Sequence, residues 1–338
     1  MKIRKVLCLM CWLVVPFVTD AFSTIHSHGD RLKLLRGGNI SIRHQSHLPM
    51  AVESSTLFNN SNLYQSLGIY TVTNAVGLLI SLLTGSHKHL DLLGSGSFAL
   101  ATIPMLLASS CHRVLLSSAA VAIWGSKLAG FLCFRAFKLK RDDRLEEMLS
   151  SVQGAIQFWV ISLVWNVICS LPHILGTTSS KLGSPITLSV GTVVYTLGLL
   201  TETRADIEKW IFKHNNPGKF CNIGLWSVSQ HPNFFGNIVL WLGILVMNSD
   251  SLIEPFDTSV GIFHKIWGCR RLVLSCLSPL FMWTLFNGQA RGKVTNSVQL
   301  ATEKYGKDPA YVNYIGSTPL IIPGIASWLK TLFCLKRN

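Results

Sequence analysis

Apolar residues in this chain form long blocks instead of alternating with polar ones. From Leu67 onward the blocks recur between short polar segments, and the longer ones reach the roughly 18 to 22 residues that a helix needs to cross a hydrocarbon core of about 30 Å, whereas the second and sixth are short. The pattern predicts an all-α fold, a multi-pass transmembrane helical bundle. We predict about seven spans: Leu67–Leu83, Phe98–Ser110, Val114–Phe134, Ile156–Ile174, Ile186–Leu200, Phe235–Met247 and Leu272–Phe286. Ile321–Phe333 is apolar but short and interrupted by glycine and proline, so we expect an interfacial or re-entrant segment there.

The composition favours the same class of protein. Hydrophobic residues make up 49% of the chain and charged residues 14%, whereas an average soluble domain carries about 25% charged residues. A large soluble helical protein is the alternative, but several runs are apolar on every helical face, which disfavours it. The net charge is +14, and the basic residues lie in short loops, where they set topology and meet anionic lipid or a phosphate-bearing ligand. No basic stripe with interleaved aromatics indicates nucleic-acid binding. Of the nine cysteines, only Cys8 and Cys11 form a C-x-x-C, inside the apparent targeting segment, and no paired spacing indicates a zinc site or a disulfide framework.

The N-terminal segments have the composition of targeting signals. Residues 1–20 begin with basic residues and continue with an apolar stretch of about 13 residues, which predicts a signal peptide. Residues 21–62 are rich in Ser, His, Arg and Lys, and we interpret them as a transit segment, with a disordered uncleaved tail as the alternative. The junction Ala21-Phe22 resembles the cleavage site of bipartite presequences that target plastids of secondary endosymbiotic origin. We therefore expect a membrane domain at 63–323, a C-terminal tail at 324–338, and a plastid membrane, with the endoplasmic reticulum as the alternative location.

Three polar segments should lie on one face of the membrane. Arg135–Ser151, Thr201–His231 and Asn287–Ser317 are separated from each other by two predicted spans. They hold most of the loop Lys and Arg residues, so the positive-inside rule makes this face cytosolic, or stromal in a plastid. Soluble nucleotide cofactors are found on that side.

The segment His231–Asn237 is the strongest candidate for a site. Pro232 suits the first turn of a helix, and a helix start presents free backbone N–H groups and a positive dipole end. Gly236 allows a ligand or a neighbouring helix to approach the backbone closely. His231, Asn233 and Asn237 add hydrogen-bond donors and acceptors. A capped membrane helix with one packing glycine explains the same residues, and this segment alone does not decide between the two.

A second candidate follows the fifth span. Glu202, Asp206 and Lys209 recur at i, i+4 and i+7 and so share one face of a helix. Lys213 lies about two turns beyond Asp206. An acid for hydroxyls or amides together with a base for phosphate is a common way to hold a nucleotide. The alternative is a solvated helix with ordinary i,i+4 pairs.

The remaining polar and aromatic positions predict little by themselves. Arg135 and Arg144 follow the third span, where snorkelling to the headgroups is the default explanation. Tyr314 belongs to a group of tyrosines that could be ordinary interfacial anchors. Trp124 is most simply a packing residue.

Taken together, four segments resemble a known family in order and spacing. They are IWGSKLAGFLCFR at 123–135, ETRADIEKWIFK at 202–213, GLWSVSQHPNFFGN at 224–237 and YVNYIGSTPLIIP at 311–323. The chain is similar, from roughly Leu67 to Pro323, to the steroid 5-alpha-reductase C-terminal-domain family, specifically to its uncharacterised bacterial, algal and plant branch.

The resemblance implies a membrane oxidoreductase that uses NADPH to reduce a conjugated C=C bond of a lipid, such as a sterol, isoprenoid or acyl chain. By position, Asp206 and Lys213 match residues that contact the adenosine and phosphate part of the cofactor. Asn233, Gly236 and Asn237 match the segment at the nicotinamide end, and Tyr314 matches a tyrosine near the dinucleotide. His231 and Arg135, from the same segments, and Arg144, which follows the third span, are further candidates for cofactor binding. No residue matches the family's proton donor, so no catalytic acid is assigned.

Two departures from the branch pattern S-R-H-P-N-Y-F-G-E matter for the site. Gln230 replaces the arginine, which removes a fixed charge and a bidentate donor. Asn237 replaces the glutamate and can still bond a carboxamide, but cannot act as a carboxylate. Two alternatives therefore stay open. One is an S-adenosylmethionine-dependent membrane methyltransferase, since isoprenylcysteine and phospholipid methyltransferases share an R-H-P-x-Y-x-G segment. The other is a catalytically degenerate membrane scaffold. The sequence predicts neither the exact lipid nor the oligomeric state.

Overall fold

The structure, a computed structural model, describes residues 60–86, 89–138, 151–179, 181–254 and 267–333. The signal-peptide and transit predictions for residues up to 59, Arg144, and the last residues of the predicted C-terminal tail lie outside these ranges. The described α-helices are α1 Ser61–Thr84, α2 Leu90–Ala108, α3 His112–Lys138, α4 Val152–Gly176, α5 Pro185–Asn215, α6 Pro232–Asn248, α7 Arg270–Ser275, α8 Leu277–Ala290, α9 Ser297–Tyr305, α10 Pro309–Ser317 and α11 Ile325–Phe333.

The helices confirm the predicted class of fold. Among the described residues, six helices, α1 to α6, are long and apolar enough to cross a membrane. The predicted seventh span, Leu272–Phe286, falls on α7 and α8, two shorter helices that meet at Cys276. The Cys276 amide donates to the Leu272 carbonyl at 3.0 Å, and its carbonyl accepts from the Leu280 amide at 3.3 Å. The two helices therefore follow one another with only a local break in the regular pattern.

Helix α5 is longer than the apolar run that predicted it. The Ser184 side chain caps its start by accepting from the Ile186 amide, and Pro185 occupies the first turn. The helix then continues without a break past the apolar run to Asn215. The polar motif from Glu202 to Lys213 is therefore part of the same rigid rod as the apolar run, as the sequence predicted.

Four glycines bring the backbones of α5 and α6 into contact. Gly191 and Gly198 on α5 face Gly243 and Gly236 on α6. A Cβ atom added at Gly198 would lie 2.4 Å from the Leu240 nitrogen, closer than any real side chain can approach. Small residues permit such close crossings in membrane helices, where dispersion contacts drive the association of helices. This contact fixes the register of the two helices, and therefore of the polar residues at the end of the pair.

Aromatic side chains fill the middle of the bundle. Phe98 lies at their centre, with its ring centroid 5.0 Å from that of Trp124 and 5.7 Å from those of Trp241 and Tyr70. Trp165 contacts Phe98 at 4.9 Å. Most of these pairs meet edge to face, the arrangement that the ring quadrupoles favour. Helices from both halves of the described chain thus meet in one aromatic core.

The other end of the bundle is held by a buried arginine. Arg113, at the start of α3, is 1% exposed. Its guanidinium donates to the Gly176, Ser179 and Lys181 carbonyls and to the Asn248 side chain at 2.8–3.1 Å. A cation at the carbonyl end of α4 is favourable for the helix dipole. The burial of Arg113 at this end of the bundle is therefore explained by these hydrogen bonds and needs no ligand.

Candidate functional site

Two carboxylates and two amides form the centre of the candidate site. Glu202 and Asp206 lie one turn apart on α5, and Asn237 and Asn233 lie one turn apart on α6. Asn237 Nδ2 donates to Glu202 Oε1 at 3.1 Å. Asn233 Nδ2 lies 3.4 Å from Asp206 Oδ1. We call these four side chains the acid–amide ladder.

Lys127 on α3 supplies the positive charge beside the ladder. Its ammonium lies 3.6 Å from Glu202 Oε2 and 3.2 Å from Asp206 Oδ2, and its side chain is 20% exposed. Trp124, one turn earlier, donates its indole N–H to Glu202 Oε2 at 3.1 Å. Sequence reasoning did not single out Lys127, although a cation within an apolar run is a functional candidate by default. The sequence predicted only a packing role for Trp124, and the structure shows that its indole also donates this hydrogen bond to Glu202.

Both amide oxygens of the ladder are buried without a hydrogen-bond partner among the described residues. Asn237 is only 5% exposed and Glu202 only 3%. Buried polar atoms are normally paired, so each unpaired one calls for an explanation. Because the amide nitrogens face the carboxylates, Asn233 Oδ1 and Asn237 Oδ1 are left as acceptors.

Gly236 has a packing reason to be glycine. A Cβ atom there would lie 2.5 Å from the Glu202 nitrogen and 2.8 Å from the Gly198 carbonyl oxygen. Of the two possibilities that the sequence allowed, close approach by a ligand or by a helix, the structure shows the helix. Gly236 thereby allows α5 and α6, the two helices that carry the acid–amide ladder, to lie in backbone contact.

His231 precedes α6 and is partly buried. Its ring stacks on Phe234 with centroids 4.9 Å apart, and Phe234 stacks in turn on Phe286 at 4.5 Å. Burial, with a smaller contribution from the charge of Lys209, lowers the pKa of His231 to about 4. The imidazole is therefore neutral at pH 7 and offers both a donor and an acceptor.

Lys213 and Tyr314 lie farther out on the same face and hold the connection between α5 and α6. Lys213 Nζ donates to the Tyr305 hydroxyl at 2.8 Å, which joins α5 to α9. Tyr314 donates its hydroxyl to the Trp226 carbonyl at 2.7 Å, and burial raises the pKa of this phenol. These contacts bring the described parts of the second and third polar segments together, as span parity predicted.

The start of the first polar segment joins them. The charge of Arg135, at the end of α3, acts on Asp206 and, after that of Lys127, offsets part of the effect of its burial. Arg144 is outside the described residues. The structure thus brings Arg135, Asp206 and Asn233 together, while Lys213 is about two turns further along α5.

Gln230, which replaces the arginine of the branch pattern, has a defined role. Its side-chain amide donates to the Ile315 carbonyl at 3.0 Å and to the Thr318 carbonyl at 2.6 Å. Its backbone amide donates to the Pro319 carbonyl at 2.9 Å. A neutral amide therefore ties the segment before α6 to the carbonyl end of α10, and no fixed charge is needed for this contact.

The connection between α5 and α6 is anchored on α5 itself. The Glu208 carboxylate accepts from the Leu225 amide at 2.8 Å and pairs with Arg204 at 2.7 Å. The Trp226 indole donates to the Ala205 carbonyl at 2.8 Å. Lys209 places its ammonium 4.2 Å from the centroid of the Trp226 ring, a cation–π distance. A cation is thus held at a fixed place one turn beyond Asp206.

Comparison with known proteins gives a family. The profile of a family described as "Protein of unknown function (DUF1295)" matches residues 77–318, well over half of the chain. A probable O-methyltransferase, ustE, of Ustilaginoidea virens is 28% identical over 122 residues, which is 33% of this chain and 42% of that protein. The chain thus matches less than half the length of this curated relative. No solved structure matches. The chain belongs to the DUF1295 family, a family related to the steroid 5-alpha-reductase-like membrane proteins.

Proposed function

We propose that this protein is a membrane oxidoreductase that uses NADPH to reduce a conjugated C=C bond of a lipid. The observation that supports it most is the acid–amide ladder, with two buried amide oxygens that have no partner among the described residues, at one end of an apolar bundle. Membership of a family related to steroid 5-alpha-reductase-like proteins supports the choice of chemistry.

The donor set fits the cofactor. A nicotinamide carboxamide carries N–H donors, which suit the free oxygens of Asn233 and Asn237, and Asp206 is an acceptor for hydroxyls. Lys209 and Lys213 lie one turn apart beyond Asp206 and would bind phosphate as point charges. When bound, NADPH supplies a hydride.

The surroundings of the ladder suit an apolar substrate. Trp124 contacts Glu202 with its indole N–H, and its ring lies 5.1 Å from that of Trp241 in the aromatic core. The outer faces of the helices expose large apolar side chains, among them Leu107 and Leu83. A sterol, isoprenoid or acyl chain could approach laterally from the bilayer, while a soluble cofactor enters from the end where α9 to α11 lie.

The first test is cofactor binding by the purified protein in detergent. NADPH should quench the intrinsic tryptophan fluorescence in a saturable way, because Trp124 contacts the ladder directly. Lys213→Met should weaken binding by about tenfold, the effect of losing one hydrogen bond to a charged group. Lys293→Met, which changes an exposed lysine outside the site, is the matched control and should bind as the wild type does. Absence of binding up to about 1 mM NADPH, the upper end of ordinary enzyme affinities, would contradict the proposal.

A membrane methyltransferase is the second candidate, because the curated relative is named as a probable O-methyltransferase. The ladder's amide oxygens could accept from the ammonium group of S-adenosylmethionine as well as from a carboxamide. The same fluorescence titration with S-adenosylmethionine separates the two. Saturable binding of S-adenosylmethionine by a protein indifferent to NADPH would reverse the ranking.

A further inference from the structure

The ladder repeats one contact twice. Along α5, Glu202 and Asp206 are four residues apart, and along α6, Asn233 and Asn237 are four residues apart, so each pair spans one helical turn. Each carboxylate faces the amide nitrogen of the asparagine opposite, at 3.1 Å and 3.4 Å. The Gly198–Gly236 contact holds the two turns at this spacing.

The charge state of the carboxylates decides which way the amides point. An ionised carboxylate can only accept hydrogen bonds, so the asparagine opposite must offer its N–H₂ group. Lys127 lies within 4 Å of both Glu202 and Asp206, and its charge opposes the burial that favours their neutral forms. The indole N–H of Trp124 also needs an acceptor and finds it in Glu202. The surroundings therefore leave the oxygen of each asparagine directed away from α5.

A glutamate at position 237, as in the branch pattern, would instead oppose the carboxylate of Glu202. In this chain the acid stands on α5 and the amide on α6. Position 237 accordingly presents a neutral oxygen to the site, and that oxygen is buried and unpartnered among the described residues.

We propose that Glu202 and Asp206 are positioning residues that fix the amides of Asn237 and Asn233 with both oxygens facing the ligand, so that the site selects a ligand carrying an N–H₂ group. The identity of that group, the carboxamide of NADPH, rests on the proposed function. A ligand that offers only a carbonyl at this place leaves the buried oxygens without a donor.

A paired ligand series tests the selectivity. The probes are NADPH and its reduced 3-acetylpyridine analogue, in which a methyl group replaces the amide N–H₂. Wild type should bind NADPH about ten- to a hundredfold more tightly, the effect of leaving buried acceptors unsatisfied. In Glu202→Gln the new amide can donate to Asn237 Oδ1 and turn its N–H₂ toward the ligand, so the preference should fall by at least about threefold, while Asp206 still holds Asn233. Glu303→Gln, an exposed change on α9, should keep the wild-type preference.

A second experiment tests the ladder without any ligand. Asn237→Asp places two carboxylates together and should lower the melting temperature. Adding Glu202→Gln to this variant again places one amide opposite one carboxylate, with the amide now on α5 and the carboxylate on α6. The double variant should therefore melt above the single Asn237→Asp variant, by on the order of 3 °C or more.

The outcomes separate this inference from the proposed function. Equal binding of NADPH and the acetyl analogue by wild type overturns the selectivity while leaving the reductase proposal in place. A double variant no more stable than Asn237→Asp overturns the orientation of the ladder. No NADPH binding at all overturns the proposed function and the assignment of the carboxamide together, even if the double variant behaves as expected.

Discussion

Gly236→Ala adds one methyl group at the place where the ladder depends on backbone contact. The new Cβ atom would lie 2.5 Å from the nitrogen and 3.0 Å from the Cα atom of Glu202, and 2.8 Å from the Gly198 oxygen. All three are backbone atoms of α5, so no side chain can rotate away. Ordinary van der Waals contact begins at 3.4 Å, and the helices must therefore separate by roughly 1 Å.

The expected cost is that of overpacking a close interface, about 1–3 kcal/mol. For a chain of this size the melting temperature should fall by about 2–10 °C. The separation also moves Glu202 away from Asn237, the residue next to the substitution, and their 3.1 Å hydrogen bond should weaken. NADPH affinity should fall with it.

The measurement is thermal unfolding in detergent together with the NADPH titration. Gly68→Ala is the matched control, because no atom of the described residues lies within 4 Å of the added atom. It should leave both quantities near wild type. Gly243→Ala, on the same helix contact but about two turns from the ladder, should lose similar stability with a smaller effect on affinity. A Gly236→Ala variant that melts at or above the wild-type temperature would refute this account of the contact.

Three further substitutions probe separate parts of the structure. Lys127→Met should lower both the melting temperature and the NADPH affinity, because the two carboxylates lose the cation between them. Lys293→Met should change neither. A Lys127→Met variant with unchanged stability and affinity would contradict a role for the acid–amide ladder in either. Arg113→Met should cost about 3 kcal/mol or more in stability, because its buried hydrogen bonds are lost. The folded variant should keep its NADPH affinity, and a selective loss of affinity would contradict a purely structural role. The pKa of His231 is about 4 in the folded protein, against an ordinary value of 6.5. As the pH falls from 6.5 to 4, the imidazole is protonated in the unfolded protein only, so the folded state loses stability over this range. The melting temperature of wild type should therefore drop more steeply from pH 6.5 to 4 than that of His231→Phe, and parallel curves would show that His231 contributes nothing.

The sequence predicted the helices well because membrane spans are long and apolar. Six of the seven predicted spans fall on helices that are long and apolar enough to cross a membrane, although Phe98–Ser110 runs two residues past the end of α2. The seventh falls on α7 and α8, which are not among these helices, and no pattern marked the break at Cys276. The helical face that joins Glu202, Asp206 and Lys209 was also predicted, since i, i+4 and i+7 spacing is local.

What faces that helix could not be predicted from local spacing. Lys127 meets Glu202 across 75 positions of the chain, and only packing of α3 on α5 brings the two together. The role of Gly236 was left open because a ligand and a helix both favour glycine, and the Glu202 backbone opposite it shows the helix contact. The orientation of the Asn237 side chain depends on the charge of Glu202. Because Glu202 lies on another helix, the local sequence around Asn237 does not predict this orientation.

The central proposal, hydride transfer to a lipid, is tested most directly by following the label from deuterated NADPH. The purified protein is incubated with NADPH carrying deuterium at the transferred position and a total lipid extract, and the lipids are then analysed by mass spectrometry. One deuterium should appear on a newly saturated carbon of one class of conjugated lipid, and about tenfold less of it with Lys213→Met when NADPH is well below its dissociation constant. Lipids that gain no deuterium, but gain a labelled methyl group in a parallel incubation with methyl-labelled S-adenosylmethionine, would contradict the proposal.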